Sequence, residues 1–207
     1  MSLRQKLGAS LYDGLMKRPE QQGLRQWRAD LLQQARGHVL EIGPGTGANL
    51  PHYPRAVQKL TLVEPNGAMA DIIDVETYTG SGPVEFIDTT ASDIPLPDNA
   101  IDTVVSTLVL CSVKDLADAL HELRRILKPR GQLLFLEHVA STDERTRTWQ
   151  DRIDPIWHWC NGDCHMNRRT LEALKKEGFA IQSLTRAPMP AAPSLLNPTI
   201  RGRAIPT

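Results

Sequence analysis

Short apolar runs alternate with amphipathic helical patterns over most of this chain, and that rhythm restricts the folds open to it. The runs are "HVLEIG", "KLTLVE", "PVEFID", "AIDTVVS", "QLLFLEH" and "FAIQSLT". A short apolar run bounded by turn residues reads as a buried strand. Between several of them lie helical patterns, the clearest being "KDLADALHELRRILKP". Its Leu116, Leu120, Leu123 and Leu127 share one apolar face, and Pro129 and Gly131 are expected to stop it. Strands alternating with helices imply an α/β fold: a mostly parallel, doubly wound sheet covered on both faces. A last strand near "TIRGRA" brings the expected number to seven.

The first 36 residues read as two N-terminal helices, one carrying Leu3, Leu7, Leu11 and Leu15, the other starting after Pro19 with Leu24, Trp27, Leu31 and Leu32. Residues 141–178 break the rhythm, with helical material and no convincing strand. They are the candidate for a cap inserted between strands five and six. With no repeats or low-complexity linkers, residues 1–207 are expected to form one domain. Charge is balanced, 24 basic against 24 acidic residues, which argues against a general attraction to nucleic acid or an anionic membrane. Three cysteines do not make a disulfide framework. The N-terminus has no signal-peptide pattern, and the longest strongly apolar stretch, "IDTVVSTLVL", is too short to span a bilayer. The expectation is a cytoplasmic, reduced protein with no integral membrane segment; nothing in the sequence sets its oligomeric state.

"VLEIGPGTGAN" puts Gly43, Gly45 and Gly47 directly after the first strand, where backbone can approach a ligand at a helix N-terminus. Such a loop fits a dinucleotide as well as other cofactors, so the neighbouring acids decide. Glu64 ends the second strand, 21 positions after Gly43, placed to accept both hydroxyls of a ribose. Glu41, two residues before Gly43, would repel a pyrophosphate but suits the ammonium of an amino acid, directly or through water. Together they favour S-adenosylmethionine over NAD.

Here the chain resembles a known family. "VLEIGPGTG", "LVEPN", "DIPLPDNAIDTVVSTLVL" and "LKPRGQLLFLEH" are similar, in order, to the motifs of class I S-adenosylmethionine-dependent methyltransferases, whose fold is Rossmann-like. The resemblance implies that Glu41, Gly43, Gly45 and Gly47 cradle the methionine part, with Pro44 and Asn49 also at the cofactor. It implies Glu64 at the ribose, Pro65 and Met69 near the adenine, and Ala91 and Ser92 at the adenine edge. Thr107 and Leu108, just after strand four, would line the methionine side. The acid often found at the adenine edge is replaced by Thr90, with Asp93 three positions on. A narrower resemblance lies in "STLVLCSV", "LEHVA", "DPIW" and "GDCHMNRRT", which look like the alkyl-thiol methyltransferases of the microsomal methyltransferase-like group. That group carries a hydrophobic N-terminal anchor, which is not expected here. The activity it implies is S-methylation of a small thiol. N- or C-methylation of a lipid head group or quinone, and binding of the cofactor without catalysis, stay open as alternatives.

A thiol needs little machinery to accept a methyl group, because a few per cent is already thiolate near pH 7. A base is expected past the carboxyl ends of the strands. His138, closing strand five, is the first candidate; Asp154, His158, Asp163 and His165 in the cap are the others. Cys111 reads as a small buried hydrophobe beside the methionine pocket. The stretch "IWHWCNGDCHMNRRT" holds two histidines and two cysteines, but the spacing of His158, Cys160, Cys164 and His165 does not match the paired motifs of structural zinc sites. Its Trp157, Trp159 and Met166 suit the roof of a small pocket, and Asn167 suits a helix N-cap. No metal is expected there.

Overall fold

The computed structural model describes residue 14 and residues 16–65, 67–160 and 164–207. The first of the two expected N-terminal helices lies largely outside these residues. Helix continues through Pro19 into a π-turn, Glu20–Leu24, and then into α1, Arg25–Leu32. The break therefore falls at Gly23, whose φ of 136° leaves helical geometry, and not at Pro19. Proline preserves a helical φ where the preceding turn needs no N–H from it.

Seven strands follow in the expected places: β1 Gly37–Ile42, β2 Val57–Val63, β3 Val84–Ile87, β4 Ile101–Thr107, β5 Leu127–His138, β6 Phe179–Pro188 and β7 Pro198–Pro206. They form one sheet in the order β3-β2-β1-β4-β5-β7-β6. Pairs within β1–β5 are parallel, while β7 runs antiparallel to both β5 and β6. Neighbouring side chains on each strand enter opposite cores. Leu40, Ile42, Val104, Leu133 and Phe135 pack on one face with the helices α3, Leu116–Ile126, and α5, Thr170–Lys176. Val39, Val105, Leu134 and Leu136 pack on the other with α1. Burial on both faces explains why these strands read as continuous apolar runs.

Two expectations need correction. No α-helix follows the glycine loop; turns lead to a single 3₁₀ turn, Leu50–His52, because Pro51 and Pro54 remove the N–H groups a longer helix would need. The strand-five helix ends earlier than expected. α3 is N-capped by Asp115, whose carboxylate accepts from the N–H groups of Ala117 (2.9 Å) and Asp118 (3.1 Å), and it stops at Ile126. Leu127 is buried as the first residue of β5, not as the last of the helix. Between Leu127, paired with Ile101, and Gln132, paired with Thr103, the strand bulges out of the ladder. Pro129 and Gly131 sit in that bulge, where a missing N–H costs nothing.

The short α2, Gly67–Ala70, and a 3₁₀ turn, Val75–Thr77, connect β2 to β3. The cap contributes α4, Glu144–Cys160, and α5 between β5 and β6. Asn167 does not cap α5: its amide donates to Asp151 (2.9 Å), and Arg169 holds the N-cap position. No helix among the described residues is long and apolar enough to cross a membrane.

Candidate active site

The strand order reverses between β1 and β4, and the loops leaving their carboxyl ends must splay apart there. A cleft of about 530 Å³ opens at that point, within the size range of small-molecule sites. Its floor is backbone. Gly43 and Gly45 have φ of 55° and 58°, a region costly for any other residue. A Cβ on Gly43 would stand 2.7 Å from Val109 Cγ2, so the glycine also lets the two loops touch.

Glu64 and Pro65 form one wall, with Met69, Ala91 and Ser92 beyond them, while Thr107 and Leu108 close the opposite side. Ten of the thirteen cofactor residues expected from the sequence therefore line this cleft, Pro44 among them. Thr90 lines it too, its hydroxyl 3.2 Å from that of Ser92, while Asp93 is not among the lining residues.

Glu41, Gly47 and Asn49 do not line it. Glu41 is buried behind the loop, accepting from the Asn49 amide (2.7 Å) and the Tyr53 hydroxyl (2.6 Å). Burial raises its carboxyl above the ordinary range, against the opposing pull of those two bonds and of Arg28. Glu41 therefore connects to the cleft through Asn49. Asn49 also donates to the Thr107 hydroxyl (2.9 Å), and its carbonyl accepts from Arg28 Nη1 (3.0 Å). The same guanidinium donates to Thr107 Oγ1 (2.8 Å) and pairs with Glu20 (2.9 Å). The buried chain Tyr53–Glu41–Asn49 thereby fixes Arg28, from α1, in the wall of the cleft. Sequence reasoning missed Arg28, because nothing local marks one arginine of an amphipathic helix as turned inward.

On the other side of the cleft the loop after β4 turns sharply, with Leu108 in the left-handed region at φ 62°. Glu137 holds this turn. Fully buried at the end of β5, it accepts from the Ser106 hydroxyl (2.6 Å) and from the N–H groups of Val109 (3.3 Å) and Cys111 (3.4 Å). Burial pushes its carboxyl up to about 7 despite those bonds.

The cap is stitched to the same turn. The Cys111 carbonyl accepts from His165 N–H (2.9 Å), and Arg168 donates to the carbonyls of Cys111 (3.4 Å) and Val113 (2.5 Å). Asp154, buried on α4, accepts from His165 Nδ1 (2.7 Å) and Met166 N–H (2.8 Å), and His165 stacks on His158 with centroids 4.6 Å apart. Gln150 clamps the cap by donating to the carbonyls of Met166 (3.0 Å) and Leu195 (2.9 Å) while accepting from Ser141 N–H (2.8 Å). Asp154 and His158 thus stand in a cap network, with Asp154 committed to holding His165 and the chain after it. Asp163 lies outside the described residues.

His138, the first candidate base, stands apart from that network. Both of its ring nitrogens are buried away from any oxygen or nitrogen partner among the described residues, with the Cys164 thiol beside them. The Cys111 and Cys164 thiols lie near it, their sulfurs 3.8 Å apart. Cys164 bonding pushes the Cys111 thiol well up, with burial adding to it; the same bond, with His138 beside it, holds the Cys164 thiol below the ordinary range.

A methyltransferase domain model matches residues 40–135, the segment that supplies the cleft's lining apart from Arg28. Thiol S-methyltransferase TMT1A of Homo sapiens is 32% identical over 172 residues, covering 81% of this chain and 70% of the relative. The ubiquinone/menaquinone biosynthesis C-methyltransferase UbiE of Hahella chejuensis is 34% identical over 115 residues, 53% of this chain and 46% of that protein. The crystal structure of a SAM-dependent methyltransferase from Thermotoga maritima superposes with a TM-score of 0.65 at 20% identity, covering 95% of this chain and 94% of that one.

Proposed function

This chain belongs to the class I S-adenosylmethionine-dependent methyltransferases, in the family of thiol S-methyltransferase TMT1A, and from that premise we propose that its methyl acceptor is a small thiol. The cleft fits the cofactor by its donor set. Arg28 supplies a fixed cation for a carboxylate, Glu64 an acceptor for paired hydroxyls, and Pro65, Met69 and Ala91 a weakly polar seat for a purine. The cofactor, when bound, supplies a methyl group on a sulfonium. The chain's part is to orient it, to exclude water and to present the acceptor in line. Leu108, Val109, Ser112 and Val113 give the acceptor side a small, largely apolar surface suited to an alkyl thiol, with Lys114 and Asp115 following at its edge.

The observation that carries the choice of thiol is the extent of the relationship to TMT1A. A match over 81% of the chain necessarily runs past residue 135 into the cap, whereas the methyltransferase domain model ends there. The match to UbiE covers 53%. The experiment is a methyl-transfer screen over thiols, amines, phenols and quinols, with products identified by mass. Methylated thioethers are expected to dominate. Methylation of quinols or amines with none of the thiols would reject the reading.

A further inference from the structure

Cys111, His138 and Cys164 come from three separate segments: the turn after β4, the end of β5 and the chain after α4. Their ligand atoms, two sulfurs and an imidazole nitrogen, all lie within 4.8 Å of one another. We propose that these three side chains hold a zinc ion whose fourth position is open to the thiol acceptor; this rests on the thiol reading above.

Geometry carries the argument. Two Zn–S bonds of about 2.3 Å at a tetrahedral angle set the sulfurs about 3.8 Å apart, and the Cys111 and Cys164 sulfurs are 3.8 Å apart. The His138 ring nitrogens are buried with no oxygen or nitrogen partner among the described residues, only the Cys164 thiol beside them, and an imidazole so placed is poorly satisfied by hydrogen bonding alone. A metal bond satisfies one of those nitrogens. Two thiolates and an imidazole form a soft set that selects zinc over magnesium or calcium. Three protein ligands are the pattern of a zinc site that keeps a position for substrate, whereas structural sites are closed by four.

The supports are rigid. Cys111 is held at its N–H by Glu137 and at its carbonyl by His165 and Arg168. Its sulfur is 3.5 Å from the hydroxyl of Ser112, which lines the cleft, so the cluster abuts the acceptor side.

The chemistry follows from the open position. An acceptor thiol binds zinc as thiolate and releases its proton to solvent. Its sulfur then forms the new S–CH₃ bond as the methyl-to-sulfonium bond breaks, and the electron pair of that bond stays on S-adenosylhomocysteine. The product thioether carries no charge and is a weaker ligand, so it leaves.

The test uses the full chain, reduced and free of any affinity tag, titrated with Co²⁺ and then Zn²⁺. One equivalent of Co²⁺ is expected to give the sulfur-to-metal charge-transfer band and the intense visible bands of a tetrahedral thiolate site, which Zn²⁺ abolishes. Cys164→Ser and, independently, His138→Ala should weaken binding by roughly tenfold to a hundredfold, with S-adenosylhomocysteine still bound as proof of folding. Cys160→Ser should leave the titration unchanged. A simple alkyl thiol should shift the visible bands; an amine or phenol should not. Wild-type protein that binds S-adenosylhomocysteine but gives no thiolate band overturns the site. Cobalt bands that no thiol perturbs overturn the open position. Full-rate thiol methylation by protein free of metal overturns the zinc proposal and leaves the thiol reading standing, whereas stoichiometric metal with methylation of non-thiols alone does the reverse.

Discussion

The two sides of the cleft are built in different ways. Most of the cofactor side is assembled from short segments that each carry their own signal: a glycine turn after β1, an acid after β2, small residues after β3; Arg28, bonded to Thr107 across 79 residues, is the exception. The acceptor side depends on contacts between distant segments, with Glu137 gripping a turn some 26 residues away (Cys111) and the cap bonded back to Cys111 across more than fifty. Local motifs write most of the first side; long-range packing writes the second.

If that division is right, disturbing one side should spare the other. The largest effect is expected from Gly43→Ala. Left-handed strain together with the overlap on Val109 should cost about 3 kcal/mol in S-adenosylhomocysteine affinity, measurable by calorimetry. Glu64→Ala comes next. Loss of a charged acceptor of hydroxyl bonds should weaken the same affinity by about 2 kcal/mol, while saturating cofactor restores turnover.

On the acceptor side, Arg168→Ala removes the bonds to the Cys111 and Val113 carbonyls. Turnover should fall by about 1.5 kcal/mol, roughly tenfold, with cofactor affinity unchanged. An equal loss of both would erase the division.

These sites differ in how far the sequence exposes them. The central strands β1, β2, β4 and β5 were legible because burial on both faces writes continuous apolar runs, and Gly43 and Glu64 because each belongs to a short motif. The arginine of the cleft was not legible. Arg28 faces inward only because Glu41 and Asn49, 13 and 21 residues on, are buried beside it, and periodicity in α1 does not encode that. Glu41 is buried behind the loop, bonded to Asn49 and Tyr53, and neither bond is written in its own motif. For the same reason the spacing argument about metal compared Cys164 with Cys160 and His158, its neighbours in sequence. Folding instead brings Cys164 to Cys111, 53 residues away. The expected N-cap at Asn167 failed because Asp151 competes for its amide.

A control at the opposite end of the sheet should touch neither side. Burial acts to raise the Asp102 carboxyl, but the Lys128 ammonium (2.8 Å) and His38 N–H (2.9 Å) outweigh it and hold it below the ordinary range. A depressed carboxyl pKa stabilises the fold above the unfolded value and loses that contribution as pH falls through the folded one. Asp102→Asn should therefore lower stability by about 1 kcal/mol at neutral pH, discounted for partial exposure. The difference from wild type should begin to shrink below about pH 4 and be lost as pH falls through the depressed folded value, read by denaturant titrations. Cofactor affinity and turnover at neutral pH should not change.

The most direct test of the division is His138→Ala, with turnover on a thiol and S-adenosylhomocysteine affinity measured on one preparation. The account expects turnover to fall about a hundredfold or more while affinity stays within about twofold. Normal turnover, or an affinity that falls together with the rate, would contradict it.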